Sequence, residues 1–268
     1  MNLIPNPKIV ELAAKLHLPY IRQNWHELAS DTSLTHEEYL LELLTSEHEK
    51  RVENGIARRT KEAKFPYKKY LEDFDHNKYD STFLPEFMEL ETLGFIGKNE
   101  NVILLGTAGA GKTHYSIALG MKACMTGHSV LYASVANLIT ELKEAMSQQQ
   151  ITRFRKRFER FDLVILDELG YISFDKAGSE LLFNLISSRN DKGSIIVTSN
   201  LTFDRWEEIF HDPALTAAVV DRLTHRGHIL DISRENGGRF EDTMLWIQNR
   251  KELSKYDQNV DSSLLLQD

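Results

Sequence analysis

The residues best placed to do chemistry lie between Asn101 and Thr113, N-V-I-L-L-G-T-A-G-A-G-K-T, where an apolar run breaks into a glycine-rich turn closed by a lysine and a hydroxyl. Gly106, Gly111, Lys112 and Thr113 meet the pattern G-x-x-x-x-G-K-[ST], with Thr107, Ala108, Gly109 and Ala110 inside the turn. The glycines allow positive φ and a close approach of the backbone, so that successive N–H groups can point at phosphate oxygens. Lys112 would set a compact cation on the β- and γ-phosphates, and the Thr113 hydroxyl would take one position in the octahedral shell of Mg²⁺. A helix starting at the end of the turn adds its positive dipole end.

A second constellation is Phe161-Asp162-Leu163-Val164-Ile165-Leu166-Asp167-Glu168, an apolar strand ending in two carboxylates, one expected on each side of the strand. Asp167 would hold Mg²⁺ directly or through water, and Glu168 would polarise a water for in-line attack on the γ-phosphate. Two solvated acids are the plainer alternative, but such a pair downstream of a phosphate loop is uncommon. Asn200 follows the buried strand Ser194 to Ser199; ligands of open parallel sheets sit beyond the carboxyl ends of strands, where an amide could orient the attacking water. It could equally cap or turn the chain into the Phe203 to Phe210 helix. Arg222, in a helix expected over Leu215 to His225, could stabilise phosphoryl-transfer charge in a neighbouring subunit, as could Arg226, or pair with Asp221 or a neighbour. Arg239 is a further candidate for touching phosphate in its own subunit, and a surface role fits it too.

These residues need a scaffold, and the periodicities supply one. Short strands near Asn101, Ser129 to Ala133, Phe161 and Ser194 to Ser199 alternate with helices over Tyr115 to Thr126, Val135 to Met146 and Ala177 to Arg189, and Gly227 to Asp231 makes a last strand. The α/β alternation predicts a parallel sheet flanked by helices. Ahead of it, leucines at helical spacing (Leu40, Leu43, Leu44) and a cap at Ser33 or Thr35 followed by Glu37 and Glu38 predict a small all-helical domain. The expected organisation is a helical domain over 1–66, a connector over 67–98, an ATPase domain over 99–255 and a frayed tail over 256–268. The aromatic connector, with Tyr70, Phe74, Tyr79 and Phe83, is expected to pack onto the ATPase domain.

At 268 residues the chain can bury a sizeable core, and its single cysteine, Cys124, excludes an internal disulfide and any cysteine-rich metal site. The ten histidines show no zinc-binding spacing. No run reaches transmembrane length and Met1 to Val10 lacks a targeting pattern, so a cytoplasmic protein without membrane contact is expected. The net charge of −8 argues against general coating of nucleic acid, but the balance is uneven. Lys50 to Lys69 is one-sidedly basic, and Arg153 to Arg160 holds five Lys or Arg against one Glu. Lys50, Arg51, Arg58, Arg59, Arg153, Arg155, Lys156 and Arg157 are therefore candidate DNA contacts, with a solvated helix face as the alternative for both stretches; Phe154 and Phe158 share one face of the second.

The order of phosphate loop, Asp-Glu strand, Asn-ending strand and Asp221-Arg222-Leu223 helix resembles the P-loop NTPases of AAA+ type, in the branch of DnaC-like helicase loaders and IstB-like transposition helpers. Gly106 to Thr113 corresponds to that superfamily's Walker A, Leu163 to Leu169 to Walker B, Asn200 to sensor 1, Arg222 to the arginine-finger region and Arg239 to sensor 2. Ser46-Glu47-His48-Glu49-Lys50-Arg51, then Ala63-Lys64-Phe65-Pro66 leading to Leu71-Glu72-Asp73-Phe74-Asp75, is similar to the IstB-type pattern. The resemblance implies a Mg²⁺-dependent ATPase that assembles as a ring or helical homo-oligomer on double-stranded DNA, deforms it and recruits a transposase. A helicase loader is the runner-up, and a monomeric P-loop kinase or similar transferase is a third class.

Overall fold

The computed structural model describes residues 6–30 and 33–232. Arg239 lies outside them. The chain divides into two units, one ending at Lys61 and the other beginning at Glu62.

The first unit is built from α1 (Pro7–Lys15), α2 (Pro19–Leu28) and α3 (His36–Ala63), the last of which runs on into the second unit. Local signals place their starts. Asn6 accepts from Lys8 N at 3.0 Å ahead of Pro7, and Pro19 opens α2, where a missing N–H costs nothing. Thr35 and Glu38 bond reciprocally at the start of α3: Glu38 N donates to Thr35 Oγ1 at 3.3 Å and Thr35 N to Glu38 Oε2 at 2.8 Å. Of the expected leucine stripe only Leu43 is buried; Leu40 and Leu44 stand exposed.

One turn below Leu43, a buried carboxylate organises the elbow between α1 and α2. Glu47 Oε2 accepts from Tyr20 N at 2.9 Å and Ile21 N at 3.0 Å, the free donors of α2, while its Oε1 accepts from Arg51 Nε at 3.2 Å. Arg51 Nη2 in turn donates to Leu16 O at 3.2 Å and His17 O at 2.7 Å, at the end of α1. An acid thus meets a helix N-terminus and a base a helix C-terminus, each against the dipole end that favours it. The Glu47 and Arg51 pair, spaced one turn apart on α3, has a structural reason that its sequence pattern did not disclose.

The second unit carries α4 (Leu84–Glu91) and the short α5 (Gly94–Gly97), then β1 (Asn101–Leu105), α6 (Lys112–Met125), β2 (Val130–Ser134), α7 (Val135–Ser147), α8 (Ile151–Phe158), β3 (Leu163–Leu169), α9 (Lys176–Ser187), β4 (Ser194–Ser199), α10 (Glu207–Phe210), α11 (Pro213–Thr224) and β5 (Gly227–Asp231). The five strands form one parallel sheet in the order β2-β3-β4-β1-β5. Both faces are covered, as a parallel sheet requires. Ile103, Leu105, Val164, Leu166, Ile195 and Val197 point into a core shared with α7, α9 and α11. Their alternates Val102, Leu104, Leu163, Ile165 and Ile196 point into a second core with α6 and the connector aromatics. There the Phe74 ring lies 4.7 Å from that of Tyr115 and the Phe87 ring 4.9 Å from it. Arg189, 1% exposed, fixes the strand entries by donating to the carbonyls of Phe158, Phe161, Asp162 and Ser194; burial pulls its guanidinium down to about 10.

Candidate nucleotide-binding site

Parallel pairing brings the carboxyl ends of β1, β3 and β4 to one edge of the sheet. Leu105 is in register with Ser199 and Ser199 with Leu169, so the loop after β1, the acids of β3 and Asn200 share that edge. The loop turns on Gly106, Gly109 and Gly111, all at positive φ, and Gly111 at +93° hands the chain to α6. A Cβ on Gly111 would collide with the Tyr79 hydroxyl, which donates to Ala110 O at 2.7 Å. The connector thus buttresses the loop from outside, with the Tyr79 and Phe74 rings stacked at 5.2 Å.

Lys112 is 9% exposed and donates to Gly106 O at 2.6 Å and Thr107 O at 2.9 Å. Burial pushes its ammonium down from the ordinary lysine value, and the carboxylates of Asp167, Asp231 and Glu168 oppose that shift. A polyanion arriving at the loop would offer this cation a better partner than two neutral carbonyls.

Asp167 is buried at 1% and is the hub of a hydroxyl cluster. Its Oδ1 accepts from Thr113 Oγ1 at 2.9 Å and Thr198 Oγ1 at 2.6 Å, and its Oδ2 from the Tyr132 hydroxyl at 2.6 Å. Burial first, then the bond to Asp167, pushes the Tyr132 phenol far up, so it stays a donor. Thr113 and Asp167, two hard oxygen donors side by side, are the residues that would hold a magnesium ion by donor chemistry.

Glu168 departs from a regular strand end. It takes φ +64°, at a register shift between Leu166 and Leu169, and its N–H donates to Thr198 Oγ1 at 2.9 Å. A non-glycine residue in the left-handed region is strained, and here the bulge turns an exposed carboxylate out beside a buried one. Sequence reading singled out both acids but missed Thr198 and Tyr132. The available signal was a hydroxyl among the apolar residues of each strand, Tyr132 in β2 and Thr198 in β4, since a buried hydroxyl needs a partner.

Arg222 lies elsewhere. The Asn101 amide at the start of β1 donates to the carbonyls of Arg222 and Leu223, at 3.5 and 3.2 Å, which places the end of α11 at the opposite edge of the sheet. Four strand steps of about 3.3 Å separate that edge from the phosphate loop. The Arg222 guanidinium sits 4.7 Å over the Phe183 ring, and Arg226 pairs with Asp191 at 3.3 Å.

Among the candidate DNA contacts, Arg153, Arg155, Lys156 and Arg157 are all exposed, while Phe158 is buried and Phe154 half-buried beneath them. In the first unit Lys50 pairs with Glu53 at 2.8 Å and the Arg59 guanidinium lies over Gly55. Arg58 shares a recess with His17, Arg22 and Arg51.

The family model described as IstB-like ATP binding protein matches residues 11–241. The chain belongs to that IstB-like family. Its relatives include a Pseudomonas aeruginosa protein named for insertion sequence IS21 and ATP binding, 38% identical over 82% of this chain and 83% of the relative. A Geobacillus stearothermophilus protein named likewise for IS5376 is 33% identical, over 85% and 92%. Among solved structures, AMPPCP-bound DnaA from Aquifex aeolicus aligns with a TM-score of 0.54 at 21% identity, over 72% of this chain and 59% of that one. DnaI aligns with 0.53 at 19%, over 61% and 90%. These likenesses, with the parallel five-stranded sheet and the phosphate loop, make the fold a P-loop NTPase of AAA+ type preceded by a helical region.

Proposed function

We propose that the chain is the ATP-hydrolysing helper of an insertion sequence, assembling on duplex DNA and recruiting a transposase. The observation that carries the chemistry is the meeting of Lys112, Thr113, Asp167 and Glu168 at one sheet edge. Lys112 and the loop N–H groups bind the phosphates, Thr113 and Asp167 hold Mg²⁺, and Glu168 takes a proton from the attacking water, with Asn200 orienting that water. Magnesium, when bound, neutralises charge on the phosphate oxygens. Membership in the IstB-like family and relatives named for insertion sequences favour the transposition helper over a helicase loader.

Three features support assembly on DNA. Arg222 faces away from its own phosphate loop, so it serves a neighbour's site, and Leu40, Leu41 and Leu44 offer exposed apolar surface on the first unit. The cations of α8, raised on buried rings, supply phosphate contacts. The test is a mixing experiment with Mg·ATP and duplex DNA. Arg222→Ala and Glu168→Gln proteins, each inactive alone, should regain hydrolysis when combined, because the arginine of one completes the acid-bearing site of the other. Mixtures as inactive as their parts would refute the shared site.

A further inference from the structure

Tyr132 takes no part in phosphate chemistry, yet it makes one of the two shortest bonds to the metal-holding carboxylate. The terminal torsion of an aspartate is soft, so the plane of the carboxylate is set by what its two oxygens meet. Oδ1 faces Thr113 and Thr198, and Oδ2 accepts from the Tyr132 hydroxyl. A hydroxyl has one proton and two lone pairs, so Thr113 could face a metal and still donate to Oδ1. Thr198 and Tyr132, pulling on opposite oxygens, fix the plane of the carboxylate.

Tyr132 is itself seated by the segment that follows α3. The Phe65 ring lies 6.3 Å from the Tyr132 ring, tilted by 54°, and packs against Gly120, where a Cβ would come within 2.9 Å of it. Beside Tyr132 opens a cavity of about 300 Å³, bounded by Lys64 and Pro66 on one side and by Phe154 and Arg157 of α8 on another. The tyrosine therefore has room to move unless the Phe65-Pro66 strap and α8 confine it. Resting on the assignment of Asp167 as the magnesium carboxylate, we infer that Tyr132 is a positioning residue for Asp167 and that the Phe65-Pro66 strap sets it. The cavity wall belongs to the basic helix α8, so a candidate DNA-contacting element borders the tyrosine that positions the carboxylate.

The test uses the full chain and a fluorescent ATP analogue, with binding followed during a magnesium titration. Tyr132→Phe should raise the magnesium midpoint roughly ten- to a hundredfold, the usual effect of removing a partner that orients a metal ligand. Nucleotide binding without magnesium should keep its midpoint. Phe65→Leu should shift the magnesium midpoint the same way by a smaller factor, and it decides the matter should Tyr132→Phe fail to fold. A lowered unfolding temperature with an unmoved magnesium midpoint would mean that the tyrosine only packs, and would overturn the inference. Retention of nucleotide by Lys112→Ala would instead overturn the site assignment itself, independently of Tyr132.

Discussion

Thr198→Val isolates the hydroxyl that links the two acids of β3. Thr198 is 1% exposed; its Oγ1 accepts from Glu168 N at 2.9 Å and donates to Asp167 Oδ1 at 2.6 Å. Valine keeps the volume and removes both bonds. Leaving the Glu168 N–H without its partner costs about 1–3 kcal/mol, and losing a hydrogen bond to a carboxylate about 1.5–3 kcal/mol, so the two together come to roughly 2.5–6 kcal/mol. For a domain of this size that lowers the unfolding temperature by on the order of 10 °C. Thr198→Ser keeps the bonds and loses one methyl, at about 1 kcal/mol. The expected order of thermal unfolding is therefore wild type, then serine, then valine. Simple packing predicts the reverse of the last two, because valine preserves the volume that serine gives up. With Mg·ATP, the valine variant should also lose more of its turnover than of its nucleotide affinity, since the bulge that aims Glu168 is anchored at this hydroxyl. A valine protein that melts at or above the serine protein would refute the bridging role.

Three further substitutions address other parts of the molecule. Gly111→Ala forces a Cβ into the left-handed region, at about 1–2 kcal/mol, and against the Tyr79 hydroxyl; calorimetric titration should show nucleotide affinity down by more than tenfold, and wild-type affinity would refute the buttress. Glu47→Ala strips α2 of its acceptor and leaves Arg51 with the α1 carbonyls alone; a loss of about 2 kcal/mol should appear as faster proteolysis near Leu16 to Leu18, and an unchanged cleavage rate would count against the elbow. Replacing Arg153, Arg155 and Arg157 together by Ser should reduce the slope of log affinity against log salt by up to about 2.7 in duplex binding, and an unchanged slope would return α8 to a solvated face.

Much of this was legible because the signals were local. The strands Ser194–Ser199 and Gly227–Asp231 form where their apolar runs predicted them, and the glycine spacing announced the phosphate loop. Where long-range contacts decide, the sequence was silent. The Phe203 to Phe210 helix is instead a single tight turn at Phe203–Arg205 followed by the short α10, because Trp206 Nε1 is drawn back to Leu201 O at 3.1 Å. The start of α11 was visible and passed over: Asp212 caps it through Leu215 N at 2.9 Å, ahead of Pro213. Glu168 in a left-handed conformation could not be foreseen, since the bulge depends on Thr198 in a strand that follows it in sequence.

Should Arg222, at the sheet edge remote from Lys112, complete a neighbour's site as proposed, subunits so joined would all point one way, and the series would not close unless its rotation returned on itself. In an open series one terminal protomer would hold ATP with no arginine to complete it, and the other would present an arginine to solvent. Turnover would then be confined to interior junctions, leaving an unspent triphosphate at one tip and giving the assembly a direction along the duplex from the arrangement of a single chain.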